Sequence, residues 1–316
     1  MGTEELKEIR AGYTDTVTAL AAKNKNIVVL EADLMSCTNT GNFKNTYPNQ
    51  FVNVGIAESN MVGVAAGLSA VGKIPFAASF GCFSSRRVFD QFFISANYAR
   101  LNVKLIGTDP GVTAAMNGGT HMPFEDVALM QVIPNLVVVE PSDYYSCAAL
   151  IKEAADYYGC VYFRFPRKPV PVIYNEKESF KFGKSKIIKE GKDIVFVCLG
   201  SLLLNEALKA REMLAAEGID TGVVDLLSVK PLDKETILSL AGKVKALVTA
   251  ENAQLEGGVG STVAALLAEN GFTCKFGRIG IQSEFGEVGT QDYLAKRFGL
   301  TAEKLAAKAR KLLTGI

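Results

Sequence analysis

Apolar runs of strand length alternate with helical patterns along the chain. The runs NIVVLEA (26–32), FVNVG (51–55), IPFAASF (74–80), NVKLIGT (102–108), LVVVEP (136–141) and CVYFRF (160–165) read as strands. Patterns of helical period fill roughly 4–22, 58–71, 84–99 and 142–158, and Ser142, just after Pro141, reads as the N-cap of the last. Near residue 168 the pattern breaks into KPVPVIYNEKESFKFGKSK, which mixes prolines and charges without a period. The alternation then restarts with DIVFVCLG (193–200), a helix over about 203–216, GVVDLLSV (222–229), a turn at KPLD, a helix, ALVTAEN (246–252), a further helix, a strand near 276–281 and an amphipathic terminal helix, TAEKLAAKARKLL. This order predicts an α/β protein of two domains, each a mostly parallel sheet covered by helices. The expected boundaries are 1–170 and 185–316, joined by a linker over 171–184.

Length agrees with that division: 316 residues exceed one ordinary domain. With 48% hydrophobic and 21% charged residues, the composition is globular and excludes wholesale disorder. Lys+Arg 34 against Asp+Glu 33 leaves a net charge of +1 with no concentrated run, which argues against nucleic acid as a partner. No apolar stretch approaches the ~20 residues that span a bilayer. The start, MGTEELKEIR, carries no apolar signal segment, so a cytoplasmic location is expected, with no membrane partner. The cysteines at 37, 82, 147, 160, 198 and 274 are dispersed and form no CxxC pair, which predicts reduced thiols. GGVGST (257–262) lacks both the GxGxxG spacing and a GK[ST], and reads as a tight turn before a helix.

Three segments carry residues suited to chemistry. In VNVGIAESNMVGVAAGLSAVG (52–72), Glu58 opens a helix of small residues that can pack deeply. The helix macrodipole favours its anionic form while burial disfavours it. Glu58 therefore reads either as a carboxylate satisfying helix-start N–H groups or as a proton donor and acceptor. In PFAASFGCFSSRRVFDQF (75–92), Phe80 and Phe83 follow a strand end, either as core aromatics or as a slot for a planar ring. In GTDPGVTAAMNGGTHMPFEDVALM (107–130), a loop of small residues after a strand carries His121, the chain's single histidine. Ligands bind at such loops in α/β sheets, and histidine moves protons near neutral pH.

Together these segments resemble the C-terminal half of a transketolase, and the resemblance covers nearly the whole chain. GIAESN is similar to the family segment whose Glu hydrogen-bonds the aminopyrimidine of thiamine diphosphate, which implies that role for Glu58. SFGCF resembles the family's aromatic pocket segment, which maps onto Phe80 and Phe83. RRVFDQF is similar to the Arg-x-x-Asp-Gln stretch of related pyrimidine-binding domains. GGTHMP resembles the Gly-Pro-Thr-His-Gln-Pro loop, whose His contacts the donor sugar, and this implies a catalytic and substrate-binding His121. VCLGS…NEALKA, GVVDLLSVKPLD, TAENAQLEGGVGST and RIGIQSEFGEVGT resemble the transketolase C-terminal domain in order and spacing. The implied fold is a thiamine-diphosphate pyrimidine-binding domain followed by that domain.

The sequence also departs from the family. The Asp four residues before the loop His is Asn117 here, and the phosphate-end His twelve residues before it is Asp109. The Ser of the Asp-Leu-x-x-Ser segment is Cys37, after Asp33 and Leu34, which the resemblance places beside the cofactor. The aromatic three residues past the second Phe is Arg86. Arg10 and Arg167 read as holders of an anionic donor end. These changes imply conserved chemistry with altered tail recognition, on a branched, sulfonated or differently phosphorylated ketose, with ordinary xylulose 5-phosphate left as an alternative donor. No Gly-Asp-Gly motif is present, and no metal ligand is expected from this chain. The resemblance thus implies one subunit of a split transketolase. Its N-terminal partner would hold the diphosphate and Mg²⁺ or Ca²⁺, in an assembly of two copies of each chain. Two alternatives stand beside it: the β subunit of a 2-oxo acid dehydrogenase, and a non-catalytic regulatory or scaffolding homologue.

Overall fold

Residues 5–315 are described by a computed structural model. Its strands are β1 (Leu6–Glu8), β2 (Ile27–Glu31), β3 (Phe51–Asn53), β4 (Ile74–Phe80), β5 (Lys104–Thr108), β6 (Val137–Val139), β7 (Val161–Phe165), β8 (Pro169–Pro171), β9 (Lys186–Lys189), β10 (Ile194–Leu199), β11 (Thr221–Asp225), β12 (Ser228–Lys230), β13 (Ala246–Gln254) and β14 (Lys275–Ile281). One sheet has the order β12-β6-β7-β5-β4-β2-β3 and a second the order β14-β13-β10-β11-β9. Both are parallel except at one edge strand each, β12 and β9. Strands β2, β5, β7 and β10 are buried along their whole length, as expected when helices cover both faces. The α/β expectation therefore holds.

Three local readings are corrected. The first helix starts at Ile9, not near residue 4, because Leu6–Glu8 pair antiparallel with Pro169–Pro171. The helix Tyr144–Asp156 is capped by Asp143, not Ser142: the Asp143 carboxylate accepts the Ser146 amide at 2.8 Å. Ser142 instead donates its hydroxyl to Asp225 of β11 at 2.8 Å. The run 222–229 is two strands. Leu227, at φ 57°, turns the chain, and β12 leaves the second sheet to become the edge of the first.

The segment after β8 is packed down. Tyr174 and Phe180 are buried against each other, with ring centroids 4.9 Å apart. The Tyr174 hydroxyl donates to Asp225 at 2.8 Å, and the Asp143 carboxylate accepts the amides of Ile173 and Tyr174. GGVGST forms the expected turn. Glu251 accepts the amides of Val259 and Gly260 at 2.8 Å each and so fills the start of the helix Val259–Glu269 with the chain's own carboxylate. The six cysteines are free thiols. Among the described residues no helix is long and apolar enough to cross a membrane.

Candidate active site

The residues singled out in the sequence gather at one edge of the first sheet, the carboxyl ends of its parallel strands. Asp33–Cys37 follow β2, Glu58 follows β3, Phe80 and Phe83 end β4, Asp109–His121 follow β5 and Arg167 follows β7. That edge is where ligands bind in open parallel sheets.

Glu58 is the first residue of the helix Glu58–Ala70 and is only 2% exposed. The helix has almost no polar face, being built from Ala, Gly, Ser and Val, and it buries Met61, Val62, Ala65 and Ala66. It presses against β4, so its N-terminus is held at the sheet edge. Both carboxylate oxygens of Glu58 accept from Arg87 Nη1, at 2.9 and 2.8 Å. The Arg87 guanidinium lies over the Phe83 ring, 3.9 Å from its centroid. Arg87, the arginine of the Arg-x-x-Asp-Gln stretch, received no role from the sequence. It lies four residues beyond Phe83 on a wide-turned helical segment, a spacing that brings side chains together, and this was the available signal.

Phe80, Phe83 and His121 form an aromatic wall. Ring centroids are 6.0 Å apart for the two phenylalanines, 5.9 Å for Phe80–His121 and 5.3 Å for Phe83–His121. Phe80 is buried and Phe83 half-buried, so one ring anchors the wall and the other faces the cleft. His121 Nδ1 shares a hydrogen bond of 2.9 Å with the Thr120 hydroxyl, leaving Nε2 as its other reactive atom. Asn117 is half-buried on the same loop. Arg86 is engaged elsewhere than on this wall: its Nη2 donates to the Thr120 carbonyl at 2.8 Å, and its Nε pairs with Glu125 at 2.9 Å.

A second group lies beyond the wall. Arg167 pairs with Asp109 at 2.9 Å, donates to Cys37 Sγ at 3.3 Å, and sits 5.2 Å from the Phe80 centroid. Arg10 donates to both oxygens of Glu8, at 2.8 and 3.1 Å, and to the carbonyls of Ser36 and Cys37, at 3.2 and 2.7 Å. The predicted anion-end residues are thus adjacent, but each arginine already has a carboxylate. Burial pushes Asp109 up to about 6, against the opposing pull of Arg167. Beneath, Glu31 accepts the hydroxyls of Thr38 and Thr40 at 2.6 and 2.8 Å and fixes the turn that carries Cys37. Its burial pushes it up to about 7. Asp33, with left-handed backbone at φ 63°, is exposed and exchanges hydrogen bonds with Asn53 at 3.1 and 3.2 Å. The Leu34 carbonyl accepts the amides of Cys37 and Thr38.

The first group fits the aminopyrimidine end of thiamine diphosphate. A planar, nitrogen-bearing cation already lies on Phe83 while donating to Glu58, and those are the demands of that ring. Among the described residues no group of three or more His, Cys, Asp or Glu side chains could hold a metal.

Comparison with known proteins shows the family. The family profile "Transketolase, pyrimidine binding domain" matches residues 6–172, and "Transketolase, C-terminal domain" matches residues 183–305. The chain is 44% identical to the 6-deoxy-6-sulfo-D-fructose transketolase subunit SqwH of Clostridium sp. (strain MSTE9), over 96% of this chain and 94% of that one. It is 41% identical to a putative transketolase C-terminal section of Methanocaldococcus jannaschii, over 96% and 95%. A solved structure described as a split gene transketolase, inactive beta4 tetramer, superposes with a TM-score of 0.90 at 41% identity, covering 97% of this chain and 98% of that one.

Proposed function

The chain belongs to the transketolase family, and from that premise we propose that it is one subunit of a split transketolase that moves a two-carbon ketol unit from a ketose to an aldose. The observation that carries this reading is the Glu58–Phe83–Phe80–His121 constellation, placed at the sheet edge where a planar nitrogen ring would be held and tuned. Glu58 and the two phenylalanines would hold the aminopyrimidine of thiamine diphosphate. When bound, that cofactor supplies the carbanion chemistry that cleaves and forms the carbon–carbon bond. Glu58 would hold the ring nitrogen by a hydrogen bond from its carboxyl group. Phe80 and Phe83 fix the plane of the ring and exclude water. His121 stands in contact with the aromatic wall, with one imidazole nitrogen free to move a proton at the donor hydroxyls. Asn117 contacts a donor hydroxyl.

A partner subunit would supply the diphosphate and Mg²⁺ or Ca²⁺ site, in an assembly with two copies of each chain. The likeness to a split gene transketolase and to a transketolase subunit, over more than nine-tenths of each chain, supports a partner subunit. A cytoplasmic setting fits the free thiols.

The donor is an atypical ketose with an anionic end. Asp109, where the family has a phosphate-end His, faces Arg167 and reduces its free charge, so the tail site is tuned away from an ordinary dianionic phosphate. A sulfonate, a single-charge anion of similar size, suits one half-neutralised Arg, and the relative's substrate is a sulfosugar. The test is a panel of ketoses offered with thiamine diphosphate, Mg²⁺ and a candidate N-terminal subunit, with mass-spectrometric detection of two-carbon transfer. Preferred transfer from 6-deoxy-6-sulfofructose over xylulose 5-phosphate is expected. Turnover of a 2-oxo acid with none of any ketose would sink the reading.

A further inference from the structure

The loop that carries Asp109, Asn117 and His121 leaves the first sheet after β5, yet much of what fixes its shape comes from the second domain. Asn252, on β13, is 2% exposed and works in both directions. Its Nδ2 donates to the Pro110 carbonyl at 2.9 Å, and its Oδ1 accepts the Val112 amide at 3.0 Å. Gly111, between them, has φ 54°, and a Cβ there would fall 2.2 Å from the Asn252 Oδ1. The Asn252 carbonyl in turn accepts Arg164 Nη2 at 3.1 Å, and Arg164 is held by Asp126 and Glu140, so the clamp itself is braced.

A second hold lies just before His121. Gly119 packs on the backbone of Gly286, where a Cβ on Gly119 would fall 2.1 Å from the Gly286 carbonyl oxygen. A third closes the loop, the Gln254 amide donating to the Phe124 carbonyl at 2.7 Å. Beside and between these points the loop adopts backbone that L-residues seldom choose. Asp109 has φ 57° and Ala115 φ 49° with ψ −118°. A loop of small residues in such a conformation stays there only if its surroundings hold it.

We propose that Asn252 is a positioning residue for ketol transfer: with the Gly286 contact, it makes the second domain the template that places His121 against the Phe80–Phe83 wall. The proposal rests on the reading of His121 as substrate-facing. Nothing in it requires Asn252 to touch substrate or cofactor. The second domain is thereby given a part in the site beyond assembly.

Asn252→Ala removes both hydrogen bonds, and Asn252→Asp keeps the acceptor for Val112 while losing the donor to Pro110. Gly286→Ala leaves Asn252 intact and pushes on Gly119 and the buried Met122, so it tests the second hold apart from the first. Two measurements decide the matter. Hydrogen exchange of the full chain is followed over residues 110–122, and steady-state kinetics are run on the chain assembled with its partner subunit.

The expected result is at least tenfold faster exchange in 110–122 in Asn252→Ala, with β4, β5 and β10 unchanged. It is accompanied by a donor KM raised about tenfold and thiamine diphosphate affinity within twofold of wild type. Asn252→Asp should fall between Ala and wild type, and Gly286→Ala should reproduce the KM effect. Unchanged exchange in 110–122 overturns the proposal. So does a general loss of protection with weakened cofactor binding, which would make Asn252 a purely structural residue. If the wild-type assembly transfers no ketol unit from any ketose, the functional reading fails and the catalytic half of the proposal falls with it. The exchange data separate that outcome, because they report the clamp in the chain itself.

Discussion

The two ends of the site are built on opposite principles. At the ring end, aromatic faces and a single buried carboxylate make a place for a flat, nitrogen-bearing group between Glu58 and Phe83. The Arg87 guanidinium takes that place in this chain, and its side chain is close to half exposed, so it can be displaced. At the tail end, charges have been settled internally: Arg10 with Glu8, Arg167 with Asp109. The contrast teaches where reaction and specificity separate. A cofactor common to a family needs a constant pocket that stays receptive.

The largest expected effect is at the ring end. Glu58→Gln in the assembled enzyme should lower kcat by roughly 10²–10⁴-fold, the range associated with a positioned acid–base group, with the thermal melt little changed. Wild-type turnover would remove Glu58 from the chemistry. Phe83→Ala should weaken thiamine diphosphate binding about tenfold by calorimetry, since aromatic stacking contributes ~0.5–1.5 kcal/mol beyond the area buried.

At the tail end the effects should be smaller and should depend on the donor. Asp109→Asn frees Arg167 and should lower the KM of phosphate-ended ketoses several-fold, while leaving thiamine diphosphate affinity unchanged. An unchanged KM would place Asp109 away from the donor. The same variant carries a stability signature. Burial raises Asp109 from its ordinary 3.8 to about 6, so between those values the folded chain holds more protons than the unfolded one. Stability contributed at this position is therefore greatest below pH 4 and is lost as pH rises to about 6. Wild type minus Asp109→Asn, measured by denaturant unfolding, should fall across that window and level off above it. Smallest of all, Cys37→Ser should change donor KM by no more than about twofold, because the Arg10 contact is made to the Cys37 carbonyl and a serine hydroxyl can accept from Arg167 in place of the thiol.

Much of this was legible in the sequence because its carriers are local. Every strand of the first sheet except β12 lies in one apolar run, and Glu58, Phe80, Phe83, Asp109 and Arg167 stand at or just past a run's end. The sheet edge that unites Glu58, Phe83, His121 and Arg167 follows once the strands are parallel. What escaped was non-local. Ser142 looked like a cap because nothing in its neighbourhood reveals Asp225, its real partner more than eighty residues away. The run 222–229 looked like one strand because β-propensity does not show that Leu227 would turn left-handed and hand Ser228–Lys230 to another sheet. Arg10 looked free to bind an anion, and only the folded chain shows Glu8 and two carbonyls already holding it. Arg87 escaped for a different reason: its neighbour Arg86 drew attention, and the wide turn of that helix decides which of the two faces Phe83.

On the proposed function, this chain supplies the ring-holding half of an active site that a second chain completes. The most direct test is two-carbon transfer measured with thiamine diphosphate and Mg²⁺ for this chain alone, for a candidate N-terminal subunit alone, for the two mixed, and for the mixture carrying Glu58→Gln. The account predicts transfer in the wild-type mixture only. Transfer by either chain alone, or an undiminished rate in the Glu58→Gln mixture, would contradict it.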